Sequence, residues 1–128
     1  MKPEAQRIAI AEARGWSVTS NPDGQGVKWI GPNGEGLHGG GKHGWGFNDE
    51  PIHSTLPDYL NDLNAIMPVV QELPLYQFVE VANYLRKLVK TSDGLTEAVR
   101  MALTIALATP EQWCEAFLRT IGKWEESV

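Results

Sequence analysis

The sequence predicts an α+β fold in which a small antiparallel sheet, within residues 16 to 48, packs between helices. Three observations predict it. From residue 56 onward, apolar side chains recur at three- and four-residue steps, as amphipathic helices require. Between residues 16 and 30, two short runs flank a turn sequence, as in a hairpin. From Gly24 to Gly46, ten of 23 positions are glycine, a composition that favours loop over packed structure. An amphipathic sheet flanked by helices buries every apolar face involved. At 128 residues the chain fits a single domain spanning 1–128.

The elements follow in order. Residues 3 to 14 predict a helix, because Pro3 suits the first helical position and Glu4 complements the helix dipole. Ala5, Ile8, Ala9 and Ala13 share its expected apolar face, and Gly15 stops it. Trp16-Ser17-Val18-Thr19 alternates as a half-buried strand does. Asn21-Pro22-Asp23-Gly24 is a turn, and Val27-Lys28-Trp29-Ile30 returns. A third strand is expected near Trp45 to Phe47. Thr55 or Leu56 is expected to cap a helix over 56–67, with Tyr59, Leu60, Leu63, Ile66 and Met67 as its stripe and Pro68 as its interruption. Pro74 begins a helix over 74–90, where Leu75, Phe78, Val79, Ala82, Leu85 and Leu88 should be buried opposite Gln77, Glu80, Tyr84 and Lys87. Ser92-Asp93-Gly94 is a break. Leu95 to Leu107 is compatible with helix or, in part, strand. Thr109-Pro110-Glu111-Gln112 carries a capping box and opens a helix over 110–121. That helix should bury Trp113, Ala116, Phe117 and Ile121, pair Glu115 with Arg119, and end at Gly122.

Composition excludes some functions. With 16 acidic and 11 basic side chains, a net charge of −5 argues against a phosphate-binding nucleic-acid face. The lone Cys114 cannot form an internal disulfide, which suits a reducing compartment. The N-terminus has charges throughout and does not read as a signal peptide, and no apolar run approaches the roughly 20 residues needed to span a bilayer. A cytoplasmic location in the host cell, with no membrane association, is the expectation.

Motifs for chemistry are weak. Gly34, Gly36 and Gly39 match a dinucleotide fingerprint, and Gly36, Gly41 and Lys42 match most of a P-loop. His43, however, stands where Ser or Thr should ligate magnesium, and neither match lies between a buried strand and a helix. His38, His43 and His53, with Asp49 and Glu50 between them, follow no standard metal-ligand spacing and read as surface residues. Asp58 and Asp62 would share the solvated face of the expected 56–67 helix rather than act as an acid–base pair. Cys114 reads as a small hydrophobe. No catalytic set, cofactor or metal is therefore expected. Trp29 and Trp45 flank the glycine-rich segment. Aromatics there serve equally to cover the sheet or, with Lys28, Lys42 and Phe47, to hold a partner or ligand.

Three segments, RIAIAEARGW, LPDYLNDLNA and ATPEQWCEAFLRTIGKW, resemble in order and spacing the phage ABA-sandwich domain proteins, small tailed-phage and prophage proteins. The resemblance implies an α/β/α sandwich and a phage or prophage origin, with no catalytic residues to carry over. Ile66-Met67-Pro68-Val69-Val70 and the glycine-rich loop depart from that pattern. The leading expectation is a non-catalytic accessory protein that binds a host or phage macromolecule, countering a host defence being one such role. The alternative is a small-ligand binder that sequesters a nucleotide, using the Gly/Trp-rich segment 24–47. A metal-dependent enzyme built on His38, His43, His53 and Asp49 ranks last.

Overall fold

Short-range signals shape both ends of the helix at Pro110–Thr120 in the computed structural model. Thr109 accepts from the Gln112 amide at 3.2 Å while the Gln112 side chain accepts from the Thr109 amide at 2.9 Å, completing the predicted capping box. At the other end the Lys123 amide bonds to the Leu118 carbonyl and Gly122 to Arg119, with Gly122 at φ 75°. This is a Schellman motif, which needs a left-handed residue where Gly122 stands. The same motif closes the first helix. Trp16 bonds to Ala11 and Gly15 to Glu12, with Gly15 at φ 92°.

The structure describes residues 1–20, 26–34 and 51–126. They comprise five α-helices and a two-stranded antiparallel sheet, an α+β fold. In order these are α1 (Pro3–Ala13), β1 (Ser17–Ser20), β2 (Val27–Ile30), a 3-10 turn (His53–Thr55), α2 (Leu63–Gln71), α3 (Leu75–Leu88), α4 (Glu97–Leu107) and α5 (Pro110–Thr120). The chain forms two compact units, Arg7–Pro57 and Met1–Gln6 with Asp58–Val128. The expected third strand near Trp45 to Phe47 lies outside the described residues.

In the unit Arg7–Pro57, β1 and β2 pair in the register Ser17 to Ile30, Val18 to Trp29, Thr19 to Lys28 and Ser20 to Val27. The two strands differ in burial. Val27, Lys28 and Trp29 are successive buried residues, so β2 is covered on both faces, whereas Val18 on β1 is 46% exposed. β1 therefore does not have the half-buried pattern its alternation predicted. The buried face of α1 also differs from expectation. Ile10 and Ala11 are fully buried and Gln6 nearly so, while Ala5 and Ala13 are exposed. The helix is rotated toward the side that carries Gln6 and Arg7; Gln6 Nε2 donates to the Met1 carbonyl and Arg7 Nε to that of Pro57.

The other unit is helical. α3 packs most extensively on α5, α2 packs on α5 and α3, and α4 packs on α3. Its interior includes Ile66, Val70, Val81, Leu85, Cys114 and Leu118. α5 follows the prediction closely, burying Trp113, Ala116 and Phe117, with Ile121 only partly covered. Arg119 bonds to Glu115 at 3.0 Å and to Glu126 at 2.9 Å, and lies 5.0 Å from the Trp124 ring centre, which ties down the chain beyond α5.

Two predicted elements are corrected. The helix expected over 56–67 begins at Leu63 and runs through Pro68 to Gln71. Asp62 is its N-cap, accepting from the Asn64 amide at 2.9 Å, and residues 58–61 form a turn in which Asn61 and Asp62 both bond to the Asp58 carbonyl. An interior proline costs about 3 kcal/mol, but burying Ile66, Val69 and Val70 contributes about 1.5–3 kcal/mol each. Packing outweighs the break. In α3 the buried line is Val81 and Leu85, while Leu75 is 78% exposed and Val79 49% exposed. The predicted stripe thus lay on the wrong side at the helix start. The open alternative at Leu95 to Leu107 resolves as helix, capped by Thr96, which accepts from the Val99 amide at 3.3 Å.

Candidate functional site

Of the five residues singled out around the glycine-rich segment, Lys28 and Trp29 are described; Lys42, Trp45 and Phe47 lie outside the described residues, as do His38, His43, Asp49 and Glu50. Lys28 and Trp29 are neighbours on β2, 7% and 6% exposed. In an extended strand, successive side chains point to opposite faces, so these two do not share one surface. The Trp29 indole N–H donates to His53 Nδ1 at 3.2 Å, with the rings 6.1 Å apart and tilted by 52°. Accepting at Nδ1 places the neutral imidazole's proton on Nε2. His53 opens the 3-10 turn, whose Leu56 amide bonds back to its carbonyl.

Arg7 holds the same segment from α1. Its Nε donates to the Pro57 carbonyl at 2.8 Å, and Nη2 donates to the carbonyls of Ser54, at 3.4 Å, and of Leu56. A guanidinium has five donors in a fixed fork, and here it serves three backbone oxygens of one short segment. Sequence reading missed this role because nothing local to Arg7 indicates residues about fifty positions away.

The remaining candidates are structural. Asp58 and Asp62 do not share a helix face: Asp62 caps α2, and the Asp58 carboxylate accepts from Asn61 Nδ2 at 3.1 Å. Cys114 is fully buried, its thiol donating to the Tyr59 carbonyl at 3.3 Å. Burial, followed by the negative charges of Glu111 and Asp58, pushes its pKa up to about 12. A thiol so protonated is a poor nucleophile. Among the described residues, no group of three His, Cys, Asp or Glu side chains is placed to hold a metal, and no helix is long and apolar enough to cross a membrane.

Two surface features stand out instead. At the start of α3, Leu75, Tyr76 and Val79 are 78%, 67% and 49% exposed, next to the exposed Glu80. Further along, Glu80, Asn83, Tyr84 and Lys87 line an open depression, with Lys87 Nζ 5.5 Å from the Tyr84 ring centre. α4 exposes several apolar side chains. Thr104 is its one fully buried residue and bonds to the Arg100 carbonyl at 2.8 Å, while Val99, Leu103, Ile105 and Leu107 are exposed. The apolar run at 95–107 was visible in the sequence, but its outward direction was not.

No family model matches the chain, no curated protein matches its sequence, and no solved structure matches its fold.

Proposed function

We propose that this is a non-catalytic phage or prophage accessory protein that acts by binding a host or phage protein, countering a host defence being one such role. The phage assignment rests on the resemblance of the three sequence segments. The binding assignment rests on one observation, the apolar cluster of Leu75, Tyr76 and Val79 at the start of α3. An exposed tyrosine between aliphatic neighbours is the kind of anchor that dominates protein interfaces, because it brings large area at low entropic cost. Glu80 beside it, on a chain of net charge −5, selects a partner whose apolar socket has a basic rim.

Capture from infected or lysogenic cells with wild-type protein and with Tyr76→Ala tests the reading. The expected result is a partner retained by the wild type at low salt, weakened by high salt, and bound about 5- to 30-fold less tightly by Tyr76→Ala. A partner held equally by both proteins, or no partner under gentle conditions, would overturn it. Lys42, Trp45 and Phe47 are carried forward as a second contact segment, read out by the same capture with those positions substituted.

The nucleotide-sequestering alternative needs a stacking face. Trp29, almost wholly buried and bonded to His53, does not offer one. A nucleotide panel in a thermal-shift assay keeps that reading testable, since ligand at a hundredfold over its Kd stabilises by about 2.7 kcal/mol.

A further inference from the structure

We infer that Asn33 is a site of spontaneous modification, where its side-chain amide leaves as ammonia through a cyclic imide formed with the Gly34 backbone. The turn that follows β2 holds both residues. The Gly34 amide donates to the Gly31 carbonyl at 3.1 Å, with Pro32 and Asn33 at the two central positions. Both central residues are exposed. Gly34 has φ 83°, and without a Cβ it leaves its own nitrogen uncrowded. The bond to Gly31 withholds that nitrogen only while the turn is closed, and a single exposed turn opens far more easily than the fold.

The reaction needs only water and a base. Base removes the Gly34 N–H proton, and the nitrogen bonds to Asn33 Cγ. The Cγ–Nδ2 bond then breaks, and Nδ2 leaves as ammonia with a proton from water. Water opens the resulting five-membered imide at either carbonyl. Attack at Cγ gives aspartate. Attack at the Asn33 main-chain carbonyl gives isoaspartate, in which the chain runs through Cβ and Cγ. In both cases asparagine and water become a carboxylic acid and ammonia, with nothing oxidised or reduced.

The other asparagines lack this combination. Asn21 precedes Pro22, which has no N–H. Asn48 and Asn61 precede aspartates, whose side chains crowd the attacking nitrogen. Asn64 and Asn83 lie in α2 and α3, where the backbone is fixed by the helix. At Asn33 the product adds a carboxylate, and the isoaspartate form lengthens the main chain by one methylene beside Pro32. Pro32 lies close to the end of α1, since a Cβ added at Gly15 would stand 3.3 Å from Pro32 Cβ. The modification therefore loosens the contact between this turn and the α1 stop.

Peptide mapping of the folded full chain, aged at mildly alkaline pH, tests this. Trypsin isolates the site, because Trp29–Lys42 contains Asn33 and no other asparagine. That peptide should gain one mass unit with time and resolve into aspartate and isoaspartate forms by electron-transfer fragmentation. Digestion in water enriched in heavy oxygen marks any change made during handling. The rate should rise about tenfold per pH unit, as the ionised fraction of a group far below its pKa does. Peptides carrying Asn61, Asn64 and Asn83 should stay unchanged over the same time, and Asn33→Gln should abolish the gain. The isoaspartate form, separated by ion exchange, should melt below the unreacted protein. Asparagine retained at 33 in the folded chain, whether or not the urea-unfolded chain reacts, would overturn the proposal. So would an equal gain at Asn61, Asn64 or Asn83, and equal melting would overturn the structural consequence. Tyr76→Ala should react at the wild-type rate, so this proposal and the proposed function fail separately.

Discussion

The indole of Trp29 and the imidazole of His53 are joined by an N–H···N bond of 3.2 Å, from the middle of β2 to the first residue of the 3-10 turn. A buried indole N–H without an acceptor is costly, so His53 is as much a part of this strand's environment as its neighbours in sequence. A double-mutant cycle with Trp29→Phe and His53→Ala should return a coupling energy of about 0.5–1.5 kcal/mol. Additive effects in urea denaturation would show that the bond contributes nothing.

The two Schellman glycines should respond differently to alanine. At Gly15, with φ 92°, an added Cβ would lie 3.3 Å from Pro32 Cβ, whereas at Gly122, with φ 75°, it would meet nothing within 4 Å. Left-handed strain alone costs about 1–2 kcal/mol. Gly122→Ala should lose about that much, and Gly15→Ala more, because Pro32 must also move. Equal losses in chemical denaturation would refute the steric part of this account.

Removing the α5 cap should be felt throughout the helical unit. Thr109→Ala deletes the acceptor for the Gln112 amide, a loss of about 1 kcal/mol. For a chain of this size that lowers Tm by about 4 °C, which calorimetry resolves.

Alkaline pH should reveal Cys114. Its pKa is raised from 9.0 in the unfolded chain to about 12 in the fold, first by burial. Between those values the unfolded chain releases a proton that the folded chain keeps. Stability is thus fully present below pH 9 and is lost as pH rises toward 12, with a slope of up to about 1.4 kcal/mol per unit. Other groups titrate there too, so the measured quantity is the wild-type slope minus that of Cys114→Ala. A zero difference in denaturation midpoints between pH 8 and 10.5 would contradict the assignment.

What was legible in the sequence shares one property: it is decided within four or five residues. The Thr109–Gln112 box, the stops at Gly15 and Gly122 and the Glu115–Arg119 pair are all local, and all are present; the two expected strands pair antiparallel, while the turn at Asn21-Pro22-Asp23-Gly24 lies outside the described residues. What was misread depends on distant partners. Nothing near Val81 distinguishes it from Val79, yet packing on α5 buries the first and leaves the second half-exposed. Pro68 reads as a break until Asp62 and the burial of Ile66, Val69 and Val70 are weighed with it. At α4 the sequence left helix and strand open, and nothing in it marked Val99, Leu103, Ile105 and Leu107 as exposed. For the candidate site, the sequence singled out Trp29 without its partner, since His53 lies 24 residues further on.

The Arg7 clamp on the carbonyls of Ser54, Leu56 and Pro57 joins positions 47 to 50 residues apart, and in polymer terms it closes a ring. The entropy of closing a flexible ring grows only with the logarithm of its length, so doubling it costs about 0.6 kcal/mol. Sequence between the closing points is therefore cheap to lengthen while the clamp stays intact. That makes the exposed turn at Asn33, which lies inside the ring, a place where a short epitope tag or reporter peptide can be spliced in at small entropic cost.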